Sequence, residues 1–284
     1  MSRFQWLKVA ILFSLLAVSG GRELQAKHKD HASVYNHTLA KILVEYASAV
    51  YMSDLTELFT WTCSRCNDMT KGFEIIELIV DVQHCLQAFV GVARDLKAIV
   101  IAFRGTQEHS IQNWIEDLFW KQLDLNYPDL PGAMVHHGFY SAYHNTTMRP
   151  GVLDAVKRAK QLYGDIGIMV TGHSMGGAMA SFCALDLAVW LYNVGFGSLV
   201  YKVEKVCDGS GEDPTCSRSV TGNSISDHTM YFGIELEAET WGSCKIITEP
   251  HMLSYAKTDP NGNIVLSRDP TTSILKLNTQ TAVF

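Results

Sequence analysis

One short run, Gly172-His-Ser-Met-Gly176, concentrates the chemistry of this chain. A serine hydroxyl is a weak nucleophile unless a histidine takes its proton and an acid orients that histidine. In a G-x-S-x-G turn the serine sits in a strained position between strand and helix. The residues two before and two after it must be small so that strand and helix can approach. Ser174 is therefore the candidate nucleophile, and the N–H of Met175 the first candidate oxyanion donor. A second donor should come from the loop after an earlier strand. "IVIAFRGTQ" ends such a strand at Phe103, and Thr106 offers both an N–H and a hydroxyl; the plain alternative is an ordinary glycine turn. Eleven histidines are present. His173 adjoins the serine, and neighbours on a tight turn point apart. His136 and His137 precede Gly138 and lie between two apolar runs. His228 follows the serine in the chain order serine, acid, histidine, and is the candidate base. No acid has a spacing that recommends it. Asp186 is on the helix after the serine, Asp208, Glu212 and Asp213 are in a polar loop, and Asp227 adjoins His228.

Those residues need a framework. From Leu39 the positions Leu39, Ile42, Leu43, Tyr46 and Val50 recur at helical spacing. Cys85 to Ala93 reads as a strand, with Arg94-Asp95 as a turn. "KAIVIAF" (97–103) and "GIMVT" (167–171) are continuous apolar runs, the look of strands buried on both faces. Pro150 opens a helix that Gly164 can close. Met175 to Leu191 is apolar nearly all round and reads as a buried helix. Strand, helix, strand, helix is the grammar of a mostly parallel sheet with helices on both faces. Ile111, Trp114, Ile115, Leu118 and Phe119 share one helical face, which is a core helix or, directly after an oxyanion loop, a mobile lid. A short helix is expected in "SDHTMYFGIEL", and the tail beyond Cys244 reads as loosely packed or disordered.

The 284 residues, 47% hydrophobic and 18% charged, suit one globular domain with a large core, or one domain plus appendages. A net charge of −6 without a Lys/Arg cluster argues against a nucleic-acid partner. Arg3 and Lys8, the apolar run Val9 to Val18 and the small residues Ser19, Gly20 and Gly21 read as a secretory signal; an uncleaved anchor is the alternative. Seven cysteines agree with an oxidising compartment. Cys183 falls in an apolar helix as a buried free thiol, which leaves six for three bridges. Cys63-Ser-Arg-Cys66 lacks a second CxxC or paired histidines, so it reads as a structural disulfide. Two sequons, at Asn36 and Asn145, suit export.

Six stretches, in order, resemble the class 3, or fungal-type, lipases in a plant-like branch. They are "IVIAFRGT", "NWIEDL", "VHHGFYSAY", "VTGHSMGGAMASFCALDL", "CSRSVTGNSISDH" and "YFGIELEAETWGSC". The resemblance implies an α/β-hydrolase fold and hydrolysis of acyl esters, typically triacylglycerols, at a lipid–water interface. It implies Ser174 as nucleophile, His228 as general base, and Thr106 and Met175 as the oxyanion hole, with no cofactor or metal. It also implies bridges Cys63–Cys66 and Cys207–Cys216, and a lid around Ser110 to Leu118. The sequence departs from the family where the triad aspartate should be. No "GQPR"-like turn or "NDIVP"-like motif is present, and Ser174 and His228 are 54 positions apart (228 − 174). Two strand–helix units of ~30 residues each do not fit there. An internal deletion at Val189/Trp190 is the simplest account.

The expected organisation is a signal peptide over 1–21, a mobile segment over 22–37, a hydrolase domain over 38–245 and a loose tail over 246–284. The expected function is lipid-ester hydrolysis in the secretory route or outside the cell, with the endoplasmic reticulum or vacuole as alternatives. No stable protein partner is expected. The competing expectation is a catalytically impaired lipase-like isoform that lacks the triad acid.

Overall fold

A computed structural model of the chain describes residues 36–66, 68–105, 122–125, 132–187, 228–237 and 244–268. All of them belong to one compact unit, Asn36–Phe284. The expected signal segment, Thr106 and the expected lid residues, the expected junction at 189/190, the 207–216 loop, Asp227 and the last sixteen residues lie outside the described residues.

Helix α1 (His37–Ala49) starts where Asn36 caps it, Oδ1 accepting from Leu39 N–H at 3.0 Å. That cap satisfies one of the orphan donors of the first turn. Helix α2 (Leu55–Thr60) is capped the same way by Asp54 and stops at Trp61, which is in the left-handed region at φ 59°. Three strands then run as hairpins: β1 (Glu74–Asp81), β2 (Leu86–Ala93) and β3 (Ala98–Phe103). A short pair, β4 (Gln122–Asp124) with β5 (Met134–His136), leads to α3 (His137–His144) and α4 (Met148–Tyr163). Next come β6 (Gly167–Gly172) and α5 (Met175–Leu187). The hairpin β7 (Met230–Tyr231)–β8 (Ile234–Glu235) follows, then β9 (Ala256–Thr258) and β10 (Ile264–Ser267).

The main sheet has the order β6-β3-β2-β1-β10-β9. Side chains alternate across it with the period of a pleated strand. Ile99, Ile101 and Phe103 join Ala88, Val90 and Val92 against α3, α4 and α5. Val100 and Ala102 face the other way, with Phe89 and Leu78, toward α1, α2 and Trp61. Helices on both faces of one sheet are the layers of an α/β hydrolase, as expected. The strand directions need a correction. Among the described strand pairs of this sheet only β3–β6 is parallel; β1–β2, β2–β3, β1–β10 and β9–β10 are antiparallel. The physical reason is connection length. The links β1–β2 and β2–β3 are hairpin turns of a few residues, and a parallel neighbour needs a crossover of a dozen or more.

Three further expectations are corrected. The tail from 246 is not loose over its described part: β10 pairs with β1 from Glu77↔Ser267 to Val80↔Ile264, and buries Val265 and Leu266. The helix expected in "SDHTMYFGIEL" is present at His228 and Thr229 but goes no further: "MYFGIE" is a hairpin, because Phe232 (φ 55°) and Gly233 (φ 76°) make a two-residue turn of the twist that hairpins favour. Finally, β3 is buried along its whole length, but most of β6 is only half-buried, and α5 buries Met179, Phe182 and Cys183 while Met175, Leu185 and Leu187 stay half-buried. β6 is the terminal strand of the described sheet, so its outer edge has no described partner.

The cysteines follow the sequence reading and extend it. Cys63–Cys66 is bridged, and Cys183 is free and buried. Cys85, for which the sequence names no partner, is bridged to Cys244 across a separation of 159 residues.

Candidate active site

Strand β6 ends at Gly172 and α5 begins at Met175, so the reversal falls on two residues, His173 and Ser174. Ser174 takes φ 57°, the left-handed region that costs a side chain roughly 1–3 kcal/mol. The flanking glycines show what holds it there. A Cβ on Gly172 would stand 2.3 Å from Gly176 O, and a Cβ on Gly176 would stand 2.2 Å from Phe103 O. Strand, turn and helix thus touch through main-chain atoms alone. Gly176 N–H donates to His173 O and Gly177 N–H to Ser174 O, both at 2.9 Å. Met175 N–H, the first of the helix, has no acceptor among the described residues and is available to an anion beside the serine.

The loop after β3 packs on this elbow. At Gly105 a Cβ would stand 2.6 Å from His173 O and 3.2 Å from the Ser174 Cβ. The backbone just before Thr106 is therefore in contact with the elbow, although Thr106 itself is outside the described residues. Arg104 is fully buried beneath the loop. It donates through Nη1 to Gln87 Oε1 (3.1 Å) and through Nη2 to Cys85 O (2.8 Å). Burial pushes its guanidinium down to about 10, so it stays charged at neutral pH. Gln87 in turn donates to Val50 O and Met52 O, at 2.9 and 3.0 Å, which clamps Tyr51 from both sides.

His228 reaches the elbow through its backbone. His228 O accepts from His173 Nε2 at 2.5 Å, and the two imidazole rings have centroids 4.5 Å apart. No hydrogen bond joins Ser174 Oγ to the His228 ring among the described residues. Burial lowers the His228 imidazole below its ordinary value. The hairpin that follows is held by Ser48 Oγ donating to Glu235 O (2.5 Å) and by Arg65 Nη1 donating to Glu237 O (2.7 Å).

Asp186 is occupied elsewhere. Its carboxylate accepts from Arg149 Nε (2.7 Å) and Nη2 (3.3 Å) and from Tyr143 OH (3.0 Å). It is twelve residues beyond Ser174 along α5, about 18 Å at 1.5 Å per residue. His136 caps α3, its Nδ1 accepting from Phe139 N–H at 3.4 Å, and no role at the elbow is seen for it. Among the described residues no cluster of acidic, cysteine or histidine side chains is built to hold a metal.

The tight turn sends His173 away from the serine, as its position next to Ser174 predicts. That is how it reaches Tyr51 and His228. Its Nδ1 is 2.8 Å from Tyr51 Oη, the ring is buried, and burial with the nearby His228 pushes it down to about 3. A histidine directly inside the elbow was the available signal; Tyr51, 122 positions upstream, carried none.

Comparison with known proteins agrees with this geometry. The family model "Lipase (class 3)" matches residues 100–193. The lipase of Rhizomucor miehei is 38% identical over 130 residues, covering 45% of this chain and 33% of that protein. The secreted mono- and diacylglycerol lipase 2 of Gibberella zeae is 28% identical over 226 residues, covering 65% and 54%. The chain thus spans about a third of the first relative's length and about half of the second's. Among solved structures, the Rhizomucor miehei triacylglyceride lipase superimposes with a TM-score of 0.55 at 25% identity, over 71% of this chain and 97% of that one. With the elbow at Ser174 inside the matched segment, residues 100–193 are similar to the class 3 lipases.

Proposed function

We propose that this protein is a serine esterase acting on lipid acyl esters of the acylglycerol type. The observation that carries the reading is the elbow: Ser174 at φ 57°, with Gly172 and Gly176 in main-chain contact and Met175 N–H open. The step this arrangement supports is acyl transfer. His228 takes the proton as Ser174 Oγ attacks the ester carbon. The carbonyl oxygen gains the charge, which Met175 N–H and Thr106 receive. The alcohol leaves with the proton from His228, and water repeats the sequence to free the acid. The names of the relatives, a triacylglyceride lipase and a mono- and diacylglycerol lipase, support the substrate class. The secreted relatives and the leader-like residues 1–21 support an extracellular site. We place the hydrolase over 38–268 rather than ending it at 245, because β10 lies inside the sheet.

The second reading, an impaired isoform, is favoured by one specific feature. Strand β6 is apolar yet mostly half-buried, as is part of α5, and β6 is the terminal strand of the described sheet, where further strands would add. The family match also stops at residue 193, close to the proposed 189/190 junction. Hydrolysis of an emulsified triacylglycerol by wild type, Ser174→Ala and His228→Gln separates the two. The esterase reading expects turnover in wild type alone. Folded wild type that releases no fatty acid would support the impaired isoform.

A further inference from the structure

Three backbone or side-chain hydrogen bonds run in series around the elbow. Gly105 N–H approaches Tyr51 Oη at 3.2 Å, Tyr51 Oη is 2.8 Å from His173 Nδ1, and His173 Nε2 is 2.5 Å from His228 O. The ends fix the direction. A carbonyl oxygen can only accept, so His173 Nε2 carries a hydrogen. A neutral ring then has a bare Nδ1, which must accept from the Tyr51 hydroxyl. The Tyr51 oxygen keeps a lone pair for Gly105 N–H. Every donor meets one acceptor. The chain begins at the loop that precedes Thr106 and ends at the backbone of the candidate base.

We propose that Tyr51 and His173 are positioning residues, a neutral tie that sets the backbone of His228 and the Gly105 loop in register on either side of Ser174. The proposal rests on the esterase reading for its consequence, but not for its geometry. Tyr51 is itself immobilised by Gln87, which grips the carbonyls of Val50 and Met52. Tyr231 packs edge-on to His173, at 5.9 Å between ring centroids, and closes the far side. Burial keeps the Tyr51 hydroxyl protonated and the His173 ring uncharged, so the tie does not switch at working pH. A neutral tie suits this place, because a charged imidazolium beside His228 would oppose proton uptake by the base.

The test combines histidine nitrogen NMR with the rate at which a fluorophosphonate probe labels Ser174, on the full chain. In wild type, His173 should be the Nε2–H tautomer with shifts constant from pH 8 to 5. Tyr51→Phe removes one oxygen. It should move the His173 Nδ1 and His228 carbonyl resonances and slow labelling by roughly tenfold or more, the scale that small misplacements cost. An amide presents an oxygen and a nitrogen at nearly the spacing of the two ring nitrogens. His173→Gln should therefore hold within about threefold of wild type, while His173→Leu falls with Tyr51→Phe. A His173 that titrates near an ordinary histidine, or that carries its proton on Nδ1, overturns the tie. So does labelling of Tyr51→Phe and His173→Leu at the wild-type rate, which would leave the esterase reading intact. If wild-type Ser174 does not label, the esterase reading fails instead. The tie is then decided by the His228 carbonyl resonance, which moves in Tyr51→Phe if it exists and stays if it does not.

Discussion

Replacing Gly176 by alanine should do far more damage than replacing its neighbour Gly177. The new Cβ at 176 would lie 2.2 Å from Phe103 O and 2.9 Å from the carbonyl carbons of Phe103 and Arg104. Carbon contacts are comfortable near ~3.5 Å, so α5 must retreat from β3 by about 1 Å. Nothing on the other side can yield cheaply. The atoms struck belong to the end of β3 and the residue after it, and β3 is paired to β2 and β6 along its length. Overpacking of this kind costs about 1–3 kcal/mol, and the better helix propensity of alanine returns at most ~1 kcal/mol. At Gly177 the nearest atom is Gly172 O at 3.2 Å, a gap that a shift of a few tenths of an ångström relieves. There the propensity gain should survive, making Gly177→Ala neutral or more stable by up to ~1 kcal/mol. Both variants share the propensity gain, so at about 2–4 °C per kcal/mol the overpacking alone should make Gly176→Ala melt roughly 2–12 °C below Gly177→Ala. Thermal and urea melts of the two variants, with unchanged m-values, give the comparison directly. If Gly176→Ala melts at or above Gly177→Ala, the close-contact account of the elbow is wrong.

Other outcomes follow from the same geometry. His173 is near 3 when folded and ~6.5 when unfolded, so the unfolded chain binds the extra proton and stability falls with falling pH in that window. Between pH 7 and 5 wild type should lose about 2 kcal/mol that His173→Gln does not, measured by urea melts at both pH values. Asp186→Asn should cost about 1–3 kcal/mol, because Arg149 loses its ion pair and one of the two oxygens that accept from it becomes an amide donor. It should leave the Ser174 labelling rate unchanged; loss of labelling in a folded Asp186→Asn would mark Asp186 as the acid. Opening Cys85–Cys244 by Cys244→Ser should cost about 5 kcal/mol by loop entropy, against roughly 1.6 kcal/mol for opening Cys63–Cys66. Melts in which the short bridge matters as much as the long one would contradict that ordering.

The parts legible in the sequence are those whose physics is local. β3 is a run of six apolar residues with no alternative burial, and α5 follows a glycine-flanked serine that only an elbow accommodates. The hairpin link between β2 and β3 was readable from Arg94-Asp95, and Lys97 N–H does bond back to Arg94 O. The parts that were illegible depend on distant residues. "NIVLS" is a weak strand by itself; it becomes β10 because β1 offers an unpaired edge nearly two hundred positions upstream. "MYFGIE" lies in a stretch expected to be helical, but Ser48 Oγ holds the Glu235 carbonyl and Arg65 the Glu237 carbonyl just beyond it, and the segment is a hairpin instead. The same holds at the site. Ser174 could be named from its neighbours, whereas the role of His173 depends on Tyr51 and His228, which only the fold brings to it.

The proposed ester hydrolysis depends on Ser174 as the nucleophile. The most direct test treats the full chain with a fluorophosphonate, counts adducts by intact mass, and locates the adduct by peptide mapping. The account predicts a single adduct, on the peptide that carries Ser174, and none on Ser174→Ala. An adduct on a different serine, or equal labelling of Ser174→Ala, would contradict it.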